Sequence, residues 1–545
     1  MYRRGHSCAA VVLTPATSTV CTVQRFWQAD GHSPLRKSFA KVPGKAVRFA
    51  SGLGIQGERG DVSIMRADQA ARHRDPSRRS FLASGAAATS LWLTGPDAAA
   101  QEVAVPEVVA RDAGVTSDIR DVRAVSPRGR VPVSFVIDDS TCLVNLAHFA
   151  MPQFAAAWPE REDYRKPWQS WPREIPDEFV RRFGEWSHEH GVKGKYSIVP
   201  YPALVGWVDR ELPGWSRKQL QDSLQLVREL MVPDWDIHPE MITHTRVIDI
   251  KSGRPFEKID ASTMENWYPR ESKSVDELAE YLAYALRILK NCGLPCEGVT
   301  TPGGFGNLVK SELSLAVGEA VRDLAAVEIP HYFKYVMSGQ ESTEPRLEHV
   351  RRSDGGAVEL TVTVPAGTGD WFGGWDGVSY GDVGTSSDRF ITADLQQGRM
   401  VELIRRGQPA VMLCHWPGIY CNGTEVGFQI FQTVVQRLEE GYRDHILWMK
   451  LSEMARYWAA KELTQLQAVG NRLLIDAPFA CERFTIEFTM ADDAAEIQLV
   501  TANERNALRP VERLAQLDAD MYFRDGQKVT LCFALPKGVS ELSVG

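Results

Sequence analysis

Two aspartates stand side by side directly after an apolar run of the sequence. Asp138 and Asp139 follow VPVSFVI (131–137), the most strand-like segment of the chain. Adjacent carboxylates repel each other, and they are tolerated where a metal ion, a shared proton or bulk water absorbs the charge. The alternative is a solvated turn that ends the strand. This pair is the first candidate for chemistry, and both interpretations stay open at this point.

Polar side chains also follow other strand-like runs. His244 and Thr245 end EMITHT (240–245), the loop TPGG (301–304) follows CEGVT, and His415 ends AVMLCH (410–415). A single histidine after a strand is usually a structural residue. Several such residues at strand ends indicate a shared site, because function in α/β barrels concentrates at the carboxyl ends of the strands.

The segments that must position these residues alternate between strand and helix patterns from Val131 to about Lys461. One helix-like run begins with Ser274 and has Glu277 three residues later, a capping box typical of a helix start. Strands that alternate with helices predict a parallel sheet, and the number of units predicts a (β/α) barrel. After about Leu463 the pattern changes to short strands and turns, which predicts a small β-sandwich.

Five short motifs occur at the predicted strand ends and in one loop. They are VIDD (136–139), HT (244–245), TTPGG (300–304), DW (370–371) and LCH (413–415). Their order resembles that of the polysaccharide-deacetylase family, the NodB-homology domain of carbohydrate esterase family 4. The resemblance covers about residues 130–460 and implies a distorted (β/α) barrel of the polysaccharide-deacetylase type.

The resemblance implies a role for each matching residue. Asp138 would be the general base, and His415 would give a proton to the leaving group. Asp139 and His244 would bind a divalent metal, for which zinc suits a mixed carboxylate and imidazole set. The implied oxyanion and substrate loop consists of Pro302, Gly303, Gly304, Asp370 and Trp371. The reaction implied is hydrolysis of an N- or O-acyl group on a carbohydrate.

Two motifs depart from the family pattern. Thr300 stands where the third motif has an arginine that orients the base, and Ile248 stands where the second motif has another histidine. The third metal ligand could therefore be His238 or Asp249, or it could be absent. A straight strand from 238 to 244 would span about 20 Å, too far for both histidines to share an ion. Pro239 could break such a strand.

Two other functions are compatible with the same residues. A glycoside hydrolase needs two carboxyl groups about 5–10 Å apart on separate elements, so adjacent Asp138 and Asp139 cannot flank one sugar bond. Asp138 with Glu240 or with Asp370 could. The third alternative is a carbohydrate-binding protein without catalysis, because 15 tryptophans provide many flat faces.

The composition of the chain limits its partners and its relation to a membrane. The chain has 545 residues and a net charge of -8, so it shows no basic footprint and nucleic acid is excluded as a partner. No apolar run is long enough for a membrane span. The expected organisation is an over-extended start (1–64), an export signal (65–100), a linker (101–129), the barrel (130–462) and the β-sandwich-like domain (463–545).

The expected export signal contains a twin arginine. Arg78 and Arg79 precede an Ala-rich stretch that ends at Ala100, which predicts cleavage before Gln101 and a periplasmic or extracellular location. An oxidising compartment permits disulfides. Cys292 could pair with Cys296 and Cys414 with Cys421, and the odd number of cysteines after residue 100 leaves one thiol over.

Overall fold

The computed structural model describes residues 119–353, 356–378, 381–490, 496–501 and 504–545. The expected over-extended start, the export signal and the first part of the linker lie outside these residues. The helices in chain order are α1 (Leu146–Ala157), α2 (Asp177–Glu189), α3 (Arg217–Leu226), α4 (Val275–Asn291), α5 (Lys310–Ala325), α6 (Val383–Phe390), α7 (Arg399–Arg405), α8 (Trp416–Tyr420), α9 (Val426–Tyr442) and α10 (Leu451–Leu463).

The strands fall into a first group up to α10 and a second group after it. The first group is β1 (Arg120–Ala124), β2 (Val131–Asp138), β3 (Gly194–Ile198), β4 (Trp235–Pro239), β5 (Ile248–Asp249), β6 (Arg254–Pro255), β7 (Gly298–Thr300), β8 (His331–Phe333), β9 (Arg346–Arg352), β10 (Val358–Thr363), β11 (Ala410–His415) and β12 (Ile446–Trp448). The second group is β13 (Gln465–Val469), β14 (Arg472–Ala477), β15 (Cys481–Thr489), β16 (Ile497–Val500), β17 (Arg505–Ala507), β18 (Arg509–Val511), β19 (Met521–Asp525), β20 (Lys528–Leu535) and β21 (Gly538–Val544).

Two sets of parallel strands lie between the helices. In the first set β2 pairs with β11 and β3, β3 pairs with β4, and β12 pairs with the beginning of β2. In the second set β7 and β10 both pair with β8, and β9 is antiparallel to β10. β2 is buried along its whole length, as a strand covered on both faces must be. The mixed α/β architecture predicted from the sequence is confirmed.

Backbone contacts join the two sets on both sides. Glu240, directly after β4, forms a parallel bridge with Thr300 at the end of β7. On the other side, the N–H of Gly367 donates to the carbonyl of Val411 in β11 at 2.7 Å. Because these pairings are parallel, the carboxyl ends of β2, β4, β7 and β11 lie at the same edge. The register there places His415 beside Asp138.

Residues after Leu463 form most of two five-stranded sheets, with strand orders β1-β15-β20-β19-β18 and β13-β14-β21-β16-β17. Helix α10 shares an apolar cluster with them, in which Trp458 and Phe484 are almost fully buried. One expectation is not met: residues 120–124, assigned to a linker, form β1 and pair with β15. The chain therefore contributes a strand to this part of the molecule before it enters β2.

The cysteines of the described residues are free, and all are buried. Neither expected disulfide, Cys292–Cys296 or Cys414–Cys421, is present. The thiol of Cys414 lies within β11, 3.5 Å from the carbonyl of Val136, whereas that of Cys296 faces the carbonyl of Leu294. Among the helices of the described ranges, none combines the length and apolar character needed to cross a membrane.

Candidate active site

A group of three buried side chains lies at the carboxyl ends of β2 and β4. The ring nitrogen Nε2 of His244 is 2.7 Å from Oδ1 of Asp139 and 3.2 Å from Oε1 of Glu240. Oε2 of Glu240 accepts the N–H of Asp139 at 2.6 Å, so the two elements are fixed to each other. One ligand atom from each residue points into the same small volume.

The chemistry of this group fits a divalent cation. Oδ1 of Asp139 is buried, and its nearest polar neighbour is Nε2 of His244 at 2.7 Å. Ligand atoms of a tetrahedral zinc site lie about 3.3 Å apart, given bonds of about 2.0–2.2 Å. The distances of 2.7 and 3.2 Å are close to that value. We refer to Asp139, Glu240 and His244 as the ligand group.

Electrostatics lead to the same interpretation. Burial disfavours an imidazolium at position 244, but the carboxylates of Asp139 and Glu240 raise the pKa of His244 well above its usual value. The two buried carboxylates that face this imidazole are thus stabilised by a positive charge between them. A bound divalent cation supplies that charge, and the imidazole is then a neutral ligand.

The backbone around the ligand group is held in uncommon conformations. Asp139 has φ of 61° and His244 has φ of 60°, both in the left-handed region that non-glycine residues rarely adopt. The carboxylate of Glu265 accepts the N–H groups of Ile242, Thr243 and His244, and His244 donates at 2.6 Å. Glu265 also accepts the hydroxyl of Tyr281. A buried carboxylate therefore orders the segment that presents His244.

Asp138, the expected general base, is bound to a lysine that the sequence analysis did not single out. The ammonium of Lys195, in β3, donates to Oδ1 of Asp138, to the carbonyl of Ile137 at 3.0 Å and to the hydroxyl of Ser197 at 2.7 Å. Lys195 is fully buried. Burial and the nearby carboxylate of Glu240 raise the pKa of Asp138, and Lys195 and His415 oppose that shift.

His415, the expected acid, forms a pair with Asp370. Its Nδ1 lies 2.7 Å from Oδ2 of Asp370, which leaves Nε2 as the nitrogen for proton transfer. Burial lowers the pKa of His415, but the hydrogen bond to Asp370 and the charges of Asp139, Asp370 and Asp138 raise it to about 9. These contacts favour the protonated form of the imidazole. Asp370 thus orients His415, whereas Trp371 packs on Phe390 with ring centroids 4.8 Å apart.

The loop at Pro302, Gly303 and Gly304 directly follows β7. It rests on Asn266: a side chain on Gly304 would come within 2.7 Å of the Asn266 carbonyl. Gly303 has φ of 44°, in the region that favours glycine. Because Asn266 follows Glu265, the same short segment supports both this loop and the loop that carries His244.

The third member of the ligand group is Glu240, which is neither His238 nor Asp249, the two residues considered from the sequence for a third ligand. His238 does not join the ligand group, since its Nε2 lies 2.9 Å from His331 and its Nδ1 3.2 Å from Thr300. Asp249 lies in the β5–β6 hairpin, where its carboxylate accepts from Ser252. The reason is local: β4 runs straight through Pro239, so His238 stays within the strand and Glu240 is the first residue past it.

Glu240 was overlooked as a ligand, although a signal for it existed. The segment HPEMITH spans 238–244 and places Glu240 four residues before His244, directly after a predicted strand. Such spacing gives ligand pairs when the chain turns, and it does so here because Met241 has φ of 48°. Lys195 had no comparable signal, since its contact with Asp138 arises only from the pairing of β2 with β3.

Aromatic side chains flank the ligand group. The ring of Phe154 lies 6.5 Å from that of His244 and packs against Tyr164 and Trp375, with centroids 5.4 and 5.3 Å away. Next to them Trp158 contacts Trp267, which is 40% exposed. These rings form one wall beside the site, part buried and part open to solvent.

No protein-family model matches the chain, and no curated protein matches it by sequence. Solved structures align at low identity. A protein of Mycobacterium smegmatis assigned as a polysaccharide deacetylase aligns over 63% of this chain and 95% of its own, with 12% identity and a TM-score of 0.36. A mutant of a CE4 family pseudoenzyme with restored activity covers 60% and 68%, with 10% identity and a TM-score of 0.27.

The third comparison is with an enzyme of another class. The Nostoc punctiforme debranching enzyme aligns over 77% of this chain and 100% of its own, with 9% identity and a TM-score of 0.25. With every score this low, function has to follow from the residues of this chain.

Proposed function

We propose that this chain is a metal-dependent hydrolase that removes an acyl group from nitrogen or oxygen of a carbohydrate, at the mouth of a closed, distorted (β/α) barrel. The observation that carries the proposal is that the ligand group lies near two side chains that can transfer protons. These are Asp138, paired with Lys195, and His415, paired with Asp370. Hydrolysis of an amide or ester needs a base for water, a proton for the leaving group and stabilisation of the developing oxyanion.

Asp138 acts as the base. Its Oδ1 is held by the ammonium of Lys195, so Oδ2 is the atom that takes a proton from the attacking water. The water oxygen bonds to the acyl carbon, and the carbonyl π-electrons move to the oxygen. We expect the N–H groups of Gly303 and Gly304 to face that oxygen, since their loop follows the strand that bridges Glu240.

His415 completes the reaction. As the tetrahedral intermediate breaks down, the bond to the sugar nitrogen or oxygen cleaves and Nε2 of His415 gives its proton to the leaving group. Asp370 keeps the ring oriented through Nδ1 and stabilises the protonated form before transfer. A raised pKa suits this role, because the proton is present at neutral pH when substrate binds.

Asp139, Glu240 and His244 would hold the metal. When bound there, a divalent ion such as zinc supplies Lewis-acid polarisation of the acyl carbonyl. Two carboxylates and one imidazole form a harder ligand set than two histidines and one carboxylate, so manganese is the competing metal to measure. The aromatic wall suits a carbohydrate, because Trp267 exposes a flat face on which a sugar ring can stack.

The test separates a ligand from a base. Asp139→Ala should lose the metal, whereas Asp138→Ala should keep it and lower kcat by about 10²-fold or more. The measurements are elemental analysis of the purified protein and release of acetate from N-acetylglucosamine oligomers and from acetylated xylan. Asp222→Ala, an exposed carboxylate on α3, is the matched control and should resemble wild type in both.

Two outcomes would contradict the proposal. Wild-type protein without metal and without acetate release would favour carbohydrate binding. New reducing ends without acetate would favour a glycoside hydrolase, with Asp138 and either Glu240 or Asp370 as its carboxyl pair.

A further inference from the structure

A second group of metal-ligating side chains lies below the proposed active site. Nε2 of His238, in β4, is 2.9 Å from Nε2 of His331, the first residue of β8, and the latter atom is 3.8 Å from Oδ2 of Asp236. Both histidines are fully buried, and Asp236 is 9% exposed. One atom from each residue lies within 4.8 Å of the others. The reaction proposed above uses none of these three residues.

This group is separate from the ligand group. Asp236, His238 and Glu240 alternate along the chain, so their side chains leave β4 on the same face. Two residues of a strand span about 7 Å, so His238 and Glu240 are separated by about that distance along the direction of β4. The ligand group lies at the carboxyl end of β4, whereas Asp236 lies near its amino end.

The second group has the features of a built site. The two Nε2 atoms face each other, and only one of them can hold a proton between them. Nδ1 of His331 is buried without a partner, so this ring is oriented through Nε2, the atom that faces His238. Asp236 is fixed by the N–H and hydroxyl of Ser452, at 2.6 and 2.8 Å, in the first turn of α10. A Cβ on Gly298 would meet Nε2 of His238 at 2.7 Å, so this glycine makes room for the ring.

Residues that contact this group also face a cavity on the other side of the sheet's strands from the ligand group. A cavity of about 1380 Å³ lies at the amino ends of the parallel strands, and Ser452 and Glu297 are part of its wall. Ser452 binds Asp236, and the carbonyl of Glu297 accepts the N–H of His331. Residues of the cavity wall thus contact two of the three members of the group.

We propose that Asp236, His238 and His331 form a second divalent-metal site, which takes zinc and ties β4, β8 and the start of α10 together. Two imidazoles and one carboxylate are a ligand set that zinc favours. Nε2 of His331 is 2.9 Å from Nε2 of His238 and 3.8 Å from Oδ2 of Asp236. Ligand atoms of a tetrahedral ion lie roughly 3.3 Å apart, so small side-chain shifts would bring both distances to that value. We assign the site a structural role, because the proposed reaction uses none of its three residues.

The test counts zinc in purified full-length protein after dialysis against zinc chloride. We expect about two equivalents in wild type, one in Asp139→Asn, one in His331→Gln and none in the double variant. His188→Gln is the control, since His188 also contacts an aspartate but is exposed, and it should keep two equivalents.

The zinc content of Asp139→Asn tests the second site even if His331→Gln does not fold, because the Asp139→Asn substitution leaves the second group intact. No zinc in Asp139→Asn overturns the second site and leaves a hydrogen-bonded histidine pair, whether wild type binds one equivalent or none. A single equivalent in wild type that persists in Asp139→Asn instead supports the second site and counts against the ligand group. Acetate release is not a readout here, so the outcome is independent of the proposed activity.

Discussion

At the scale of single residues, the positive charge beside Asp138 comes from β3. A buried ammonium is stable only when it is paired and hydrogen-bonded, and Lys195 satisfies both conditions through Asp138, Ile137 and Ser197. Thr300 carries no charge, although the resemblance places it where an arginine would orient the base. In the proposed reaction Lys195 would orient the base from a neighbouring strand, a task that the uncharged Thr300 cannot perform.

Replacement of Lys195 should affect catalysis and not metal binding. In Lys195→Met the carboxylate of Asp138 loses its charge partner and its fixed orientation, so kcat should fall about 10²-fold while the metal content stays at the wild-type value. Lys193→Met is the matched control, because Lys193 lies just before β3 and pairs with Glu453 at the protein surface. Equal acetate release by both variants would assign Lys195 a purely structural role.

The sequence could predict residues that follow strands, but not residues whose role depends on strand pairing. Asp138, Asp139, His244 and His415 are all recognisable, since each ends or follows an apolar run. Lys195 lies inside a strand and 57 residues from its partner, and no spacing rule connects the two. The sequence leaves His238, Asp249 or no residue as the third ligand, whereas the local turn places Glu240 beside His244.

At the scale of elements, the segment from Ile242 to His244 depends on a carboxylate outside it. Glu265 accepts from three successive N–H groups and from Tyr281, which fixes the loop despite the left-handed conformation of His244. Groups that orient metal ligands commonly change metal affinity when they are altered. This segment is therefore the part of the site most sensitive to a remote substitution.

Glu265→Gln should weaken metal binding without removal of a ligand. The amide of glutamine replaces one acceptor oxygen by a donor that faces backbone N–H groups, so the loop should shift and zinc affinity should fall by about 10–100-fold. The measurement is competition for zinc against a chelator of known affinity. Glu271→Gln, at an exposed position nearby, should bind zinc as wild type does. Unchanged affinity in Glu265→Gln would show that the loop is ordered by other contacts.

A second element-level prediction concerns Lys334, directly after β8. Burial, with a contribution from the charge of Lys310, lowers the pKa of Lys334 to about 7 from 10.5. Its ammonium donates to the carbonyl of Phe305. Between pH 7 and 10.5 the unfolded chain holds this proton and the folded chain does not, so this lysine makes the free energy of unfolding rise with pH across that window.

Lys334→Met should remove this contribution. The free energy of unfolding of the variant should exceed that of wild type most at pH 7 and below, and the difference should shrink as pH approaches 10.5. Urea titrations at several pH values measure it. Lys218→Met, at an exposed position on α3, should run parallel to wild type at every pH. A difference between Lys334→Met and wild type that does not vary with pH would mean that Lys334 is not buried as a neutral amine.

Local signals within elements were reliable. The capping box at Ser274 and Glu277 is present at the start of α4, where each side chain bonds the backbone N–H of the other residue. α2 ends at Glu189, two residues before Gly191, and glycine commonly follows the end of a helix. These signals act over a few residues and do not depend on the rest of the fold, which is why the sequence contains them in full.

At the scale of the whole molecule, β1 shows what a linear division into segments misses. The sequence places residues 120–124 in a linker because they are polar, yet they pair with β15, more than 350 residues later. Tyr457 in α10 adds a second tie, since its hydroxyl donates to the carbonyl of Val125 at 2.6 Å. A polar edge strand has no apolar pattern of its own, so only its partner strand reveals it.

The last prediction concerns export, which lies outside the described residues. We propose that the chain is exported through its twin arginine and that the mature protein begins at Gln101. A start at Gln101 leaves β1 complete, because that strand begins at Arg120. Export in the folded state also suits a metal centre, since the ligand group can be loaded before translocation. The measurement is N-terminal sequencing of the protein recovered from the periplasm or medium.

The arginine pair gives the control for this prediction. Arg78→Lys with Arg79→Lys keeps the charge of the segment but changes the guanidinium pair, so the protein should stay in the cytoplasm with an uncut N-terminus. Arg72→Lys, a single change in the basic stretch before the pair, should leave export intact. A mature protein that retains residues before Arg78 would exclude cleavage at Gln101. Wild-type protein found only in the cytoplasm would exclude export, and the substrate of the proposed activity would then have to be sought inside the cell.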